Sequence, residues 1–178
     1  MKLSEIVVLK EDATIPQLHQ HIRQGFPDTK KRQHATNEVS VTKLQYTPII
    51  QQDTLFVDST TSSSNGNAHK QALEIQNVNF QPVNSGSNVK IKDSSNVEHA
   101  VTPAKLNTSN VSVFCDCEDY QMRFAAFNIQ NNCHLGPPPA RYVRKTTTRP
   151  PVNPLQVPGF CKHLICITQE LQRLKILQ

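Results

Sequence analysis

The chain has 178 residues, of which 37% are hydrophobic and none is tryptophan, so one compact core of modest size is expected. No apolar run approaches the ~18 residues of a membrane-spanning helix, and the first apolar run is too short for a secretory signal. The formal net charge is +5. We therefore expect no membrane partner and an origin in the cytoplasm or in a particle assembled there.

The first predicted element is a short helix over residues 13–26. Thr14 can cap its start, Pro16 suits its first turn, and Gly25 suits its end. We assign residues 1–37 to this helix and to the polar, basic connector that follows it.

A β-rich core is predicted next, over residues 38–110. Short runs of alternating apolar and polar residues indicate an antiparallel sheet or sandwich, and the Asn65-Gly66 pair indicates a hairpin tip. The predicted strands are residues 38–46, 54–59, 71–80, 88–93 and 111–115. Together with the predicted helices, they place the chain in the α+β class.

One of these strands contains a change of phase. Leu73 and Ile75 share one face of an extended chain, whereas Val78 and Phe80 share the other. An extra residue reverses the faces of a strand, so we predict a β-bulge near Gln76.

The last predicted element is a C-terminal helix. Leu164, Ile167, Leu171 and Leu174 recur at steps of three, four and three, which is the period of one helical face. This apolar stripe is expected to pack on the sheet of the same chain.

The cysteines point to a metal. They are odd in number, five, and all follow residue 114, whereas a secreted disulfide framework would spread and pair them. Cys115 and Cys117 lie where a strand ends, and Cys161 and His163 lie where the last helix begins. Three sulfurs and one imidazole are a typical tetrahedral zinc set, and two ligands two residues apart fit a turn better than a helix interior.

A proline-rich strap, residues 136–158, lies between the two ligand pairs and contains more than half of the chain's 12 prolines. Proline fixes φ and removes a donor, so the strap is expected to be extended and stiff. Closing a loop of this length costs roughly 3 kcal/mol plus a constant. A structural zinc site returns on the order of 10–16 kcal/mol, so the metal outweighs the closure.

Several alternatives stay open at this point. Cys133 or His134 could replace one ligand, and the cysteines could instead form a disulfide or redox pair. Cys166 lies one turn into the helix, where it is expected to be a small buried apolar residue. Iron also fits a cysteine-rich tetrahedral site, although the mixed ligand set favours zinc.

The amino-acid sequence around the ligands resembles that of a known protein family. "FCDCEDYQMRFAAFN", "GPPPARYVRKTTTRPPVNP" and "PGFCKHL" resemble the SWIM-type zinc finger, Cys-x-Cys then Cys-x-His, of virion structural proteins in tailed bacteriophages of the T4-like, marine type. The resemblance covers residues 111–170, and we assign residues 111–178 to this zinc module. It implies zinc ligation by four residues: Cys115, Cys117, Cys161 and His163.

The resemblance implies a structural role in a phage neck, tail or baseplate, located in the virion and surrounded by other virion proteins in a symmetric assembly. Proline-stiffened segments lose less entropy when they dock on a partner, which suits this role. Four protein ligands leave a zinc ion no open position, so we do not expect an enzyme.

The alternative is a zinc-finger module that binds nucleic acid. Residues 120–169 contain no Asp or Glu, so any partner of this window is expected to be acidic. The candidate partner-binding residues lie in the strap, with one aromatic ring available for stacking on a base. They are Arg141, Tyr142, Arg144, Lys145 and Arg149.

Overall fold

The computed structural model describes residues 1–2, 39–63, 66–83, 89–139, 153 and 155–178. Within these residues the chain is an α+β protein with two small antiparallel sheets and three α-helices, as the sequence predicts. The helix predicted over residues 13–26 lies outside the described residues. The strands are β1 Val39–Ile49, β2 Thr54–Ser63, β3 Ala68–Gln76, β4 Phe80–Gln81, β5 Val89–Lys92, β6 Glu98–Val101 and β7 Val111–Cys115. The helices are α1 Glu118–Arg123, α2 Ala125–Gln130 and α3 Lys162–Arg173.

The larger sheet has the strand order β1-β2-β3-β7, with every neighbouring pair antiparallel. The predicted hairpin is formed by β2 and β3, which pair without a register shift from Thr54↔Gln76 to Ser62↔Ala68. A 3₁₀ turn and the left-handed residue Asp53, at φ 47°, connect β1 to β2. The sheet thus brings β7 beside β3, although 34 residues of other structure separate them along the chain, from Asn77 to Asn110.

The predicted bulge near Gln76 is wrong. Strand β3 ends at Gln76, and Asn77 adopts the left-handed φ of 60°. This single residue turns the chain, so that Val78 donates its N–H to the carbonyl of Asp53 and Phe80 starts β4 in the other sheet. The phase change in the sequence therefore marks the end of one sheet and the start of another. The larger sheet does contain a register shift, but it lies in β1.

The smaller sheet has the order β4-β6-β5. The sequence predicts β5, whereas β6 was missed because "EHAV" has no clear alternation of apolar and polar residues. Ile91 and Val101 are buried in the same apolar cluster as residues of the larger sheet. One core therefore extends over both sheets.

The C-terminal helix α3 packs across the larger sheet, in contact with β1, β2, β3 and β7. Leu164, Ile167 and Leu171 are fully buried, and Leu174 is partly buried against the same core. The predicted stripe and its packing partner are both confirmed. The packing fixes the start of α3 close to the end of β7, where the cysteine pair lies.

Candidate metal centre

The first pair of candidate ligands lies at the end of β7. Cys115 is the last residue of the strand, and Cys117 is the N-cap of α1 with an extended backbone. The Asp116 N–H donates to the carbonyl of Lys70 on β3, which fixes the turn between the two cysteines. The Cys117 sulfur accepts the N–H of Tyr120 at 3.3 Å, as an N-cap side chain does. The two sulfurs can therefore point to the same side of the turn.

The second pair lies at the start of α3. Cys161 is the N-cap, with an extended φ of −77° and ψ of 169°, and His163 is the second residue of the helix. Because Cys161 lies just before the helix, its side chain and that of His163 are not held apart by two successive 100° steps of a helix. This is the turn-to-helix placement that the sequence predicts.

All four candidate side chains meet in one buried cluster. Their ligand atoms lie within 4.8 Å of one another, and the His163 Nδ1 lies 3.9 Å from the sulfurs of both Cys115 and Cys161. A tetrahedron with zinc–sulfur bonds of about 2.3 Å and zinc–nitrogen bonds of about 2.0–2.1 Å has ligand separations of roughly 3.6–3.8 Å. The cluster therefore fits a tetrahedral metal ion with only small movements.

The ionisation of the three thiols also favours a cation. Burial raises the pKa of Cys115 and of Cys161, and the hydrogen bonds from these two thiols lower the pKa of Cys117. Two thiolates buried side by side are electrostatically unfavourable without a positive charge between them. Since metals bind thiolates, a cation at the centre is what would allow all three to ionise. All five cysteines of the chain are free thiols, so no disulfide competes for the four ligands.

His163, the fourth candidate ligand, is almost fully buried. Its side chain is 3% exposed, its Nδ1 faces the sulfurs, and its Nε2 has no hydrogen-bond partner among the described residues. The ring of His69 lies over it, with the ring centroids 4.4 Å apart. His69 is in turn held by Asp116, whose Oδ1 is 3.0 Å from its Nδ1. The ligand ring is therefore shielded on one side by a residue pair that the metal-binding turn itself positions.

The approach to Cys161 is fixed by a buried asparagine, Asn128 of α2. Its side-chain oxygen accepts the Gly159 N–H at 2.8 Å, and its amide donates to the Gly159 carbonyl at 3.2 Å and to the Tyr120 hydroxyl at 3.3 Å. Tyr120 donates its hydroxyl to the carbonyl of Val113. This network joins β7, both short helices and the residues before α3 around the cluster.

Gly159 is needed where it stands. An added Cβ would lie 2.5 Å from Cε1 and 2.7 Å from Cδ1 of Phe124, the residue between α1 and α2. The absence of a side chain at Gly159 therefore lets the chain pass close to the Phe124 ring just before the second ligand pair.

The remaining cysteines and His134 lie outside the cluster. The Cys133 sulfur donates to the carbonyl of Asn128, and the His134 ring stacks on Tyr120 with its Nδ1 2.9 Å from the hydroxyl. Cys166 is buried, as predicted, and its sulfur donates to the carbonyl of Val39. Burial raises the pKa of Cys133 and of Cys166 to about 11, so both are neutral thiols. Neither Cys133 nor His134 replaces a ligand in this arrangement.

The candidate partner-binding residues cannot be placed in the same way, because all of them lie outside the described residues. They are Arg141, Tyr142, Arg144, Lys145 and Arg149. Arg123, which belongs to the same cation-only window of the sequence, is 1% exposed and forms an ion pair with Asp119. It therefore does not contribute to a cationic surface.

Two further observations concern membrane spans and similarity to known proteins. The described helices include none with the length and apolar character of a membrane span. Comparison with family models, with curated proteins and with solved structures finds no match for this chain. The cluster itself is therefore the observation on which a function has to be based.

Proposed function

We propose that this chain is a structural component of a tailed bacteriophage particle, in its neck, tail or baseplate region. In this proposal a structural zinc ion on Cys115, Cys117, Cys161 and His163 fixes the proline-rich strap against neighbouring subunits. The single observation that supports the zinc is the buried cluster of three thiols and one imidazole, with ligand atoms within 4.8 Å of one another. The resemblance of residues 111–170 to SWIM-type virion proteins supports the phage particle.

The ligand set supports a structural rather than a catalytic ion. Four protein ligands complete a zinc tetrahedron, whereas catalytic zinc keeps one position for water or substrate. The ion would supply the positive charge that three buried thiolates need. It would also tie the end of β7 to the start of α3, two elements that are distant in sequence.

The anchoring of the strap supports its role as a segment held out toward partners. On one side of residues 140–152, Cys133 and Leu135 form backbone hydrogen bonds with Val113 in β7, the edge strand of the larger sheet. On the other side, Asn153 donates its side-chain amide to the carbonyls of Arg123 and Val157. Both anchors lie on the elements that carry the candidate ligands, so a bound ion would hold both ends of the strap.

The zinc is tested by removing it. The purified chain is expected to contain one zinc ion, and a strong chelator is expected to lower its melting temperature and to speed hydrogen exchange in α3. Cys161→Ser should behave like the stripped protein, whereas Cys133→Ala, at a buried cysteine outside the cluster, should keep its zinc. A chain that contains no metal and melts at the same temperature with and without chelator would refute the structural zinc.

The structural role is tested on particles. Mass spectrometry of purified phage particles is expected to find the chain in a fixed number of copies per particle. Limited proteolysis should cleave the strap more slowly in particles than in the purified chain, because neighbouring subunits would cover it. Detection of the chain only in the soluble fraction of infected cells would contradict the proposal.

The nucleic-acid alternative is supported by the cationic residues 141–149 of the strap. It predicts binding to DNA or RNA that weakens steeply with salt, because phosphate contacts release counterions. A titration of the zinc-loaded chain with oligonucleotides at low salt separates the two proposals. Absence of binding under these conditions would dismiss the alternative.

A further inference from the structure

We infer that Gln71 is a positioning residue of the metal centre, which donates an N–H···S hydrogen bond to the Cys115 thiolate and so strengthens metal binding. This inference rests on the metal site proposed above and deepens it. Gln71 lies on β3 and is 2% exposed, with its Nε2 3.7 Å from the Cys115 sulfur.

The sheet register places Gln71 beside Cys115. Gln71 pairs with Cys115 on β7 and with Ser59 on β2, so the three residues form one row across the sheet. Thr61 is two residues further along β2, on the same face. The position of the Gln71 side chain therefore follows from strand pairing and does not depend on a flexible loop.

The Gln71 carboxamide is held by further hydrogen bonds. Its Nε2 donates to the Thr61 hydroxyl at 2.9 Å, and its Oε1 accepts from the Ser59 hydroxyl at 3.3 Å. With the second Nε2 hydrogen directed at the Cys115 sulfur, both of its donors and its acceptor are used. A buried amide with a fixed orientation can direct its N–H at one sulfur without the entropy cost of ordering a free side chain.

This sheet face changes from apolar to polar along β3. The rows that contain Leu73 and Ile75 are buried and apolar in β2, β3 and β7, whereas the two rows nearest the cluster, Ser59-Gln71-Cys115 and Thr61-His69, carry polar side chains. Burying Ser59, Thr61 and Gln71 is costly unless they are hydrogen-bonded, and valines at these positions would fill the space equally well. Packing alone therefore does not require polar side chains beside Cys115, whereas a thiolate ligand does.

The net charge of the metal-loaded site explains why the Cys115 sulfur needs an N–H donor. Three thiolates and a neutral imidazole around a divalent cation leave a net charge of −1 in a buried place. N–H donors disperse this charge over the sulfurs, and Cys117 already receives one from the Tyr120 backbone. Gln71 provides the corresponding donor for Cys115. Outer partners of metal ligands typically contribute about 10–100-fold in affinity.

The test uses Gln71→Met in the full chain, which keeps the length of the side chain and removes both N–H donors. Competition with a chelator is expected to give an affinity for zinc about tenfold weaker than that of the wild type. The matched control is Gln76→Met on the same strand, whose amide donates to Glu74 away from the cluster and whose substitution should leave the affinity unchanged.

A spectroscopic signature separates this role from mere packing. In the cobalt-loaded protein, loss of an N–H···S bond raises the energy of the sulfur lone pairs. The sulfur-to-cobalt charge-transfer band of Gln71→Met should therefore move to longer wavelength, and that of Gln76→Met should not. Identical bands and affinities in the wild type and Gln71→Met would overturn the inference.

A measurement on the wild type covers the case in which Gln71→Met fails to fold. With NMR-active cadmium bound, the Gln71 side-chain amide proton should show scalar coupling to the metal through the sulfur. A cadmium-loaded protein without this coupling would overturn the inference and leave the metal site standing. A wild type that binds no metal at all would refute the proposed site itself, and the inference with it.

Discussion

The most specific prediction about packing concerns Gly159, which precedes the second ligand pair. Gly159→Ala would place a Cβ 2.5 Å from Cε1 of Phe124. This is about 1 Å inside the roughly 3.5–4.0 Å optimum for two carbon atoms. Phe124 is 3% exposed, so its ring has little room to move away.

The magnitude follows from two opposing effects. Overpacking a core costs typically about 1–3 kcal/mol, whereas replacing glycine by alanine stabilises by about 0.4–1 kcal/mol through the unfolded chain. We expect a net loss of about 1–2 kcal/mol in the free energy of unfolding. For a chain of this size that corresponds to a melting temperature lower by about 2–8 °C, measured by calorimetry on the metal-loaded protein.

The control is a double-mutant cycle with Phe124→Leu, which removes the ring that the new Cβ would strike. The two substitutions are expected to couple by about 1 kcal/mol, so that Gly159→Ala costs less in the Phe124→Leu background. Gly136→Ala, at a glycine with φ of 81° and no atom near its Cβ, should be additive with Phe124→Leu. A Gly159→Ala variant more stable than the wild type would refute the close approach.

Three further predictions concern single contacts. Asn128→Ala should lower the free energy of unfolding by about 3 kcal/mol, because the N–H and C=O of Gly159 lose their partner and each buried unpaired group costs roughly 1–3 kcal/mol; Asn131→Ala, whose side chain is only half-buried, should cost under about 1 kcal/mol. His69→Ala should let a chelator remove the metal about tenfold faster in stopped-flow measurements, because the ring that covers the histidine ligand is gone; an unchanged rate would show that the ring does not shield the site. The pKa of Asp93 lies below its ordinary value of 3.8, chiefly because of a hydrogen bond from a histidine side chain, so its stabilising effect is complete only well above pH 3.8 and is lost as the pH falls through the lowered pKa. Urea unfolding should therefore show Asp93→Asn less stable than the wild type at neutral pH, with the difference shrinking in acid; a difference independent of pH would contradict this.

The features that sequence patterns could predict are the local ones. The hairpin of β2 and β3 follows from alternation and an Asn-Gly pair, and α3 follows from one apolar stripe. For these two elements a few neighbouring residues decide the outcome. The meeting of the Cys-x-Cys pair with the Cys-x-His pair is not local, and it follows from the sequence because one tetrahedral metal ion needs both pairs.

The features that were missed depend on contacts between distant parts of the chain. Gln71 reads as an ordinary strand residue until β7 is known to lie beside β3, and Asn128 reads as a loop residue until Gly159 is known to lie against it. Helices α1 and α2 have six residues each, too short to display a helical period. The predicted strand ends early because Asn77 adopts a left-handed backbone conformation. An asparagine tolerates this conformation, but its presence in the sequence does not require it.

X-ray absorption spectroscopy of the purified chain tests the central claim most directly, because the absorption edge identifies the element and the fine structure counts the ligands. The account predicts a zinc edge with three sulfur atoms at about 2.3 Å and one nitrogen at about 2.0–2.1 Å. An iron edge, a shell of four sulfurs that brings in Cys133 or Cys166, or a shell of oxygen atoms would contradict it.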